Sequence, residues 1–311
     1  MNVPANVSLR QLRYVVTAAR LRSIAKAAQH LSISQSSIAA AINNFEEEFN
    51  VTIFVRQQAK GLVLTTVGSQ VLGRIGRFLS EADNFVQDLS GLGENLEGAV
   101  NVGCFAPVSP HFLPPIIRDM TRKHSDVSVH IHEGDLRSVQ DHLRDGVADI
   151  ILTYDLGLDS AFEAEPLREA PPHVILAAND PLAQQEVVHL KDLAGRPMIL
   201  LDLPESRTYF ELMFEAAGTQ PRIVHRTRTY ELVRGLVATG LGFSILNVRP
   251  LIDSTYTGRR IACRRLAGAV RTPRFVIARR AHDYPSPLME AFSAACRAFF
   301  HSDRALRHIV T

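Results

Sequence analysis

Two groups of residues in this chain have types and spacing that can do chemistry. The first is a run of small polar side chains, Ser34, Gln35, Ser36 and Ser37, continued by Ala40, Asn43 and Asn44. At about 100° per residue on a helix, Ser36, Ala40 and Asn43 share one face, with Ser37 and Asn44 beside it. Short hydroxyls and amides on such a face approach phosphates and base edges closely, and an asparagine amide can pair bidentately with adenine. Lys26, Arg56 and Lys60 have the chemistry of phosphate contacts. The second group is directed at anions. Ser109, Ser206 and Thr229 stand at predicted helix starts that follow predicted strands, and Arg207 offers a planar fork for a carboxylate. Asp135, Asp155 and Asp202 fall in the same loops, and if they face the ligand they favour one bearing an amine as well as a carboxylate.

The elements that must carry the first group are short helices. Ser23 can cap a helix whose Ile24, Ala27, Ala28 and Leu31 allow close crossing, Ser32-Ile33 breaks it, and Ser34 caps the next. Along that second helix Ile38, Ile42, Phe45 and Phe49 form an inward stripe. Upstream, Ser8-Leu9-Arg10-Gln11 has the spacing of a capping box ahead of Leu12, Val15, Val16 and Ala19. Downstream, VTIFVR, QQAKG and LVLT read as strand, turn and strand. Together they make a winged helix-turn-helix whose second helix enters a DNA groove. Residues 1–66 hold seven Lys/Arg and three Asp/Glu, a basic module on a chain of formal net charge +2. That asymmetry is the footprint of phosphate binding.

Thr65 or Thr66 can cap the following helix, in which Val71, Ile75, Phe78, Ala82, Phe85 and Leu89 recur at heptad spacing. The seam serves a second copy of the chain, the alternative being an ordinary amphipathic helix laid on the effector domain. GLGEN at 91–95 reads as the joint that follows.

From about Ala99 strands and helices alternate. Strands are expected at 100–104, 127–131, 148–154, 173–178, 198–201, 223–227, 242–246 and 275–279. Helices are expected at 110–123, 136–145, 207–217, 230–238 and 286–300. This pattern implies a mostly parallel sheet covered on both faces, with ligands bound at the C-terminal strand ends.

Length and composition, 311 residues with 46% hydrophobic and 21% charged, fit a globular protein of two or three domains. No secretory signal or membrane-length apolar run is present in the sequence, so a cytoplasmic protein without a membrane partner is expected. Cys104, Cys263 and Cys296 are too scattered for a disulfide framework or CxxC site, although Cys104 ends a strand beside the expected cleft. His130, His132 and Glu133 have no further ligands spaced to complete a metal site, and no cofactor is expected. The eight arginines from Arg259 to Arg280 balance residues 94–258, which carry 14 basic and 23 acidic residues, so pairing between lobes or subunits is the plain account.

The motifs SLRQLRYVV, SIAKAAQHLSISQSSI, FEEEFNVTIFVR and LVLTTVG, in this order and spacing, resemble the LysR-type transcriptional regulators. The family usually carries a proline and a serine-arginine pair where this chain has Ser36, Ala39 and Ala40, so the usual arginine contact is missing. The resemblance implies a DNA-binding head at 1–66, a dimerising linker at 67–93, and at 94–311 a two-lobed α/β domain like periplasmic solute-binding proteins. It implies crossovers near Asp155–Leu158 and Leu266–Val270, and a homodimer or homotetramer. Family pocket positions fall on Ala106, Pro107, Asp135, Tyr154, Pro204 and Ser206. Phe105 and Pro107 offer apolar contact where relatives often have a hydroxyl.

The expected function is therefore regulation of transcription through operator DNA, responsive to a small effector that is an organic anion or amino-acid-like metabolite. A metabolite-binding protein or enzyme on the same two-lobed fold is the alternative. No serine, cysteine or histidine sits in a nucleophile motif that would serve that enzyme.

Overall fold

The computed structural model describes residues 7–57, 61–90, 96–268, 271–281 and 283–310; the side chains of 56, 57, 84 and 87–90 lie outside this description. Lys60, the Arg56 and Leu89 side chains, the joint at 91–95 and Val270 therefore fall outside the described residues. Two compact units make up the chain, one of Met1–Leu92 with Arg144–Val147, the other of Gly93–Leu143 with Ala148–Thr311.

The first unit is built from α1 (Leu9–Leu21), α2 (Ile24–Leu31), α3 (Gln35–Phe49), the hairpin β1 (Phe54–Gln57) and β2 (Gly61–Leu64), and the long α4 (Thr66–Ser90). Ser8 and Gln11 form a complete capping box, and Ser23 and Ser34 accept the Lys26 and Ser37 amides. Each of these three helices ends on a left-handed residue, Arg22, Ser32 and Asn50, which turns the chain sharply without glycine. The core joins Leu12, Val15, Ala27, Ala28, Ile38, Ile42 and Phe45 to Ile53 and Leu62 of the wing. Glu46 accepts the amides of Ile53 and Phe54 at 2.5 and 3.1 Å, fastening α3 to the wing. Thr65 caps α4 through its hydroxyl, 2.7 Å from the Gly68 amide.

Two expectations fail here. Phe49 is 43% exposed and leans on Phe45, ring centres 4.5 Å apart, while Ala41 takes the buried place. Phe49 lies only about 20° round from Ile38, so its exposure comes from its place as the last residue of the helix and not from the face it shares. Ile75, at 5% exposure, and Val71 pack with Leu79 into the core of the first unit, so they do not stand free on a pairing seam.

The second unit has two lobes. The first carries a five-stranded sheet in the order β4 (Asp126–Gly134), β3 (Glu97–Phe105), β5 (Ile150–Tyr154), β13 (Arg274–Arg280), β6 (Phe162–Glu169). Its helices are α5 (Ser109–Thr121), α6 (Leu136–Arg144), α9 (Pro287–Phe300) and α10 (Asp303–Leu306). The second lobe has a four-stranded sheet ordered β11 (Ser244–Leu246), β7 (His173–Ala177), β12 (Ile261–Ala267), β8 (Val187–His189). A parallel pair, β9 (Pro197–Leu201) and β10 (Arg222–Thr227), completes it with α7 (Pro204–Ala216) and α8 (Tyr230–Ala238). One apolar cluster runs through both lobes.

The sheets are mixed, not mostly parallel: β3 runs parallel to β4 and β5, but β13 is antiparallel to β5 and β6, and β7 to β11 and β12. β6 and β12 escape the sequence reading because charged residues break their apolar runs, FEAEPLRE and IACRRLA, and β8 because it is only three residues long. Missing β6 also misplaced the outgoing crossover. The chain completes this strand in the first lobe before it crosses at Ala170–Pro172, not at Asp155–Leu158. Asp155 instead accepts the Arg274 amide and guanidinium at 2.8 and 3.0 Å, within the first lobe.

Candidate functional site

The α3 face presents what the sequence promised in exposure. Ser34, Gln35, Ser36, Ser37, Ala40, Asn43 and Asn44 are all exposed, and so is Lys26. The Ser34 hydroxyl gathers those of Ser36 and Ser37 at 2.8 Å each, which pre-orders three small donors at the helix start. Among Glu46, Glu47 and Glu48, Glu46 is spent on the wing amides, and the other two lie in the last turn, away from that start.

The cleft in the second unit is walled by both lobes. Phe105, Pro107, Tyr154 and Leu156 come from the first, and Leu201, Ser206, Tyr209, Phe210, Tyr230, Leu246, Asn247 and Val248 from the second. The cavity between them is about 20 Å³, room for roughly one water. No lining side chain carries a formal charge. Burial pushes the Tyr154 and Tyr230 phenols well up, and that of Tyr209 to about 12, so all three stay neutral. Tyr230 donates to Val248 O at 2.6 Å and Tyr209 to Arg271 O at 2.8 Å.

Three helices start beside this cavity: α5 just after Pro107, α7 with Ser206 in its first turn, and α8 at Tyr230. None has a side-chain cap, the N-cap residues being Val108, Leu203 and Thr229, whereas Ser8, Ser23, Ser34 and Ser286 cap α1, α2, α3 and α9. Uncapped starts leave amides and the positive end of the dipole for another acceptor, with fewer amides at α5 and α7, whose first turns hold Pro110 and Pro204.

Of the residues expected to hold an effector, Phe105, Pro107, Tyr154 and Ser206 line the cavity, and seven others do not. Ser109 is buried and donates to Ala106 O and the Glu133 carboxylate, so its hydroxyl caps nothing. Ala106 is tied by its amide to Gly134 O at 2.8 Å. Asp135 caps α6 through the Ser138 amide and pairs with Arg228. Asp202 faces Arg207 and Arg226, with Nη1 atoms 3.3 and 3.8 Å away, so Arg207 already has a partner and is not an idle fork. Pro204 opens α7, which begins three residues earlier than expected and makes Ser206 its third residue, not its cap. Thr229 stands at the start of α8 without a cap bond.

Tyr209, Phe210, Tyr230 and Asn247 were missed as lining residues. Each aromatic sits within a helix whose sequence pattern announces only a core face, and nothing local marks Asn247. Cys104 is fully buried and its thiol is pushed well up by burial and by nearby Cys296 and Glu133. Among the described residues no group of His, Cys, Asp or Glu is placed to hold a metal, and no helix is long and apolar enough to cross a membrane. The arginine run pairs mainly inside its own lobe, Arg274 with Asp155, Arg279 with Glu163 and Arg280 with Asp283.

Residues 9–69 match the model of the bacterial regulatory helix-turn-helix protein, lysR family, and residues 93–300 that of the LysR substrate binding domain. The fold is similar to the crystal structure of HinK, a LysR family transcriptional regulator from Pseudomonas aeruginosa, at 34% identity and TM-score 0.64, covering 95% of this chain and 99% of that one. It is similar also to a full-length OxyR from Pseudomonas aeruginosa with one cysteine replaced by aspartate, at 25% identity and TM-score 0.75, over 94% and 98% of the two chains. The DNA-binding transcriptional dual regulator OxyR of Escherichia coli strain K12 is 26% identical over 244 residues, 77% of this chain and 79% of that protein. A winged helix with an exposed polar recognition face, followed by a two-lobed domain around a cleft, thus has its counterpart in regulators of transcription, and the chain belongs to the LysR family.

Proposed function

We propose that this LysR-type regulator binds operator DNA through residues 1–66, pairs through the linker at 67–93, and takes its effector between the lobes of 94–311, acting in the cytoplasm as a homodimer or homotetramer. On the DNA side, Ser34, Gln35, Ser36, Ser37, Ala40, Asn43 and Asn44 meet bases and phosphates, with Lys26, Arg56 and Lys60 on phosphate. On the pairing side, Phe78, Ala82 and Phe85, continued by Leu89, form the seam. Phe78 and Phe85 keep 52% and 63% of their surface open, which supports a partner there.

For the effector we read a small carboxylate with an aromatic or other flat apolar body. The observation that carries this is the convergence of three uncapped helix starts on one cavity walled by Phe105, Tyr154, Tyr209 and Tyr230. Backbone amides at such starts bind anions without a charged side chain. Asp135 and Asp202 are paired with arginines, which removes the reason to require an amine on the ligand. Arg207 belongs to the rim in this reading.

Thermal unfolding of the full chain with sodium benzoate or with benzamide, the uncharged isostere, tests it. Benzoate should raise the melting temperature, toward about 2.7 kcal/mol of stabilisation at a hundred times its dissociation constant. Benzamide should do little. An equal or larger shift with benzamide would overturn the anion reading and leave DNA binding, measured separately on selected duplexes, untouched.

A further inference from the structure

We propose that Tyr209 and Asn247 are the link through which an occupant of the cleft acts on the two strands that cross between the lobes. The proposal rests on the interlobe effector site read above. The Tyr209 hydroxyl donates to Arg271 O at 2.8 Å, on the returning crossover. Asn247 Nδ2 donates to Ala170 O at 2.8 Å, on the outgoing one, and reaches Tyr209 Oη at 3.4 Å. The crossovers are joined in turn by the Ala170 amide, 2.8 Å from Pro273 O. Hydrogen bonds and the short stretch from Arg271 to Pro273 thus close a loop through Tyr209, Asn247 and Ala170.

Both side chains are walls of the cavity as well as members of the loop, and only 7% and 8% of their surfaces remain exposed. A space of about 20 Å³ takes no effector larger than water unless its walls move. Tyr209 lies on α7, one of the helices whose uncapped start would hold an anion, so a ligand there also bears on the helix that carries the phenol. Tyr230 is different: its hydroxyl is bound to Val248 O inside the second lobe. Tyr209, by contrast, reaches both crossovers, directly to one and through Asn247 to the other.

Hydrogen exchange read by mass spectrometry on the full chain without ligand tests the loop first. The reporter is the Ala170 amide, and the reference is the amides of Ile150–Tyr154. Tyr209→Phe and Asn247→Ala should each speed reporter exchange about tenfold over the reference, the scale of one lost hydrogen bond. The double variant should be no faster than the faster single one, because either change opens the same loop. Multiplying effects in the double variant, or equal acceleration of the reference, would overturn the link. In a second arm, 10 mM sodium benzoate should change Ala170 exchange in the parent but not in Tyr209→Phe, even where it still raises that variant's melting temperature. The same change in both proteins would also overturn it. Failure of benzoate to bind the parent counts against the anion reading, and the ligand-free arm still decides the loop.

Discussion

The Arg228 guanidinium reaches from the second lobe to the Asp135 carboxylate of the first, with Nη2 3.0 Å from Oδ2. The other oxygen of the same carboxylate accepts the Ser138 amide at 2.9 Å and so caps α6. Asp135 thus does two things and Arg228 one. The Arg228 side chain is 70% exposed, so Arg228→Ala should cost less than about 1 kcal/mol, and less still in high salt. Asp135→Ala should cost about 1 kcal/mol more, the scale of a lost helix cap. Urea unfolding of both variants at two salt concentrations checks this, and equal losses would mean that the cap contributes nothing.

Operator reading should divide by residue type. Asn43→Ala should change the preferred base at one position of each half-site, while Lys26→Ala should weaken all duplexes alike and reduce the salt slope by about one unit. Binding to a panel of operator variants at several salt concentrations separates the two. A uniform loss from Asn43→Ala would remove it from the base-reading face.

The linker helix should divide in the same way. Ile75→Ala should destabilise the DNA-binding head by about 2 to 5 kcal/mol, as expected for emptying a packed core site. Phe78→Asp together with Phe85→Asp should leave the head folded and separate the pair, seen as a smaller mass in light scattering and weaker binding to an inverted repeat. An unchanged mass would move the pairing surface elsewhere.

Acid should loosen the effector domain before it protonates most carboxylates. Burial holds the His111 imidazole down to about 4, helped by His308 and Arg234, and holds His173 down to about 3. Both lie below the ordinary value, so the unfolded chain takes up these protons first as pH falls. Their contribution is complete above about pH 6.5 and is lost on the way down to about 4 for His111 and about 3 for His173. It amounts to about 3 kcal/mol for His111. Among the described residues neither His173 nitrogen has a hydrogen-bond partner. His173→Phe with His111→Gln should therefore flatten the fall in urea midpoint between pH 7 and 4.5. An unchanged fall would place the acid sensitivity in other groups.

What the sequence disclosed followed the range of the interactions. The caps at Ser8, Ser23 and Ser34 act over three residues, and their spacing placed the starts of α1, α2 and α3 well. Ile75 could not be assigned from its heptad position, because that position says only that one side of α4 is apolar and not whether the head or a second copy covers it. Asp135 looked like a ligand contact because a family pocket position falls on it, yet the Ser138 amide three residues on was the better clue to a cap. The cleft was legible only in part: Phe105, Pro107, Tyr154 and Ser206 were expected there, but Asn247 and Tyr209 meet the crossovers across 77 and 62 residues of sequence, beyond any local pattern.

Glu46 has a consequence for how operator preference can change. Its carboxylate fixes the wing amides to the recognition helix, and Gly68 lies so close to Ile53 O that an added methyl would collide with that oxygen. Recognition helix, wing and the start of the linker helix therefore travel together, like the jaw of a caliper with its arm. On the proposed reading of the α3 face, its exposed side chains can be exchanged to read another sequence without resetting the gap that the jaw spans, so the width of a half-site and its spelling are free to evolve apart.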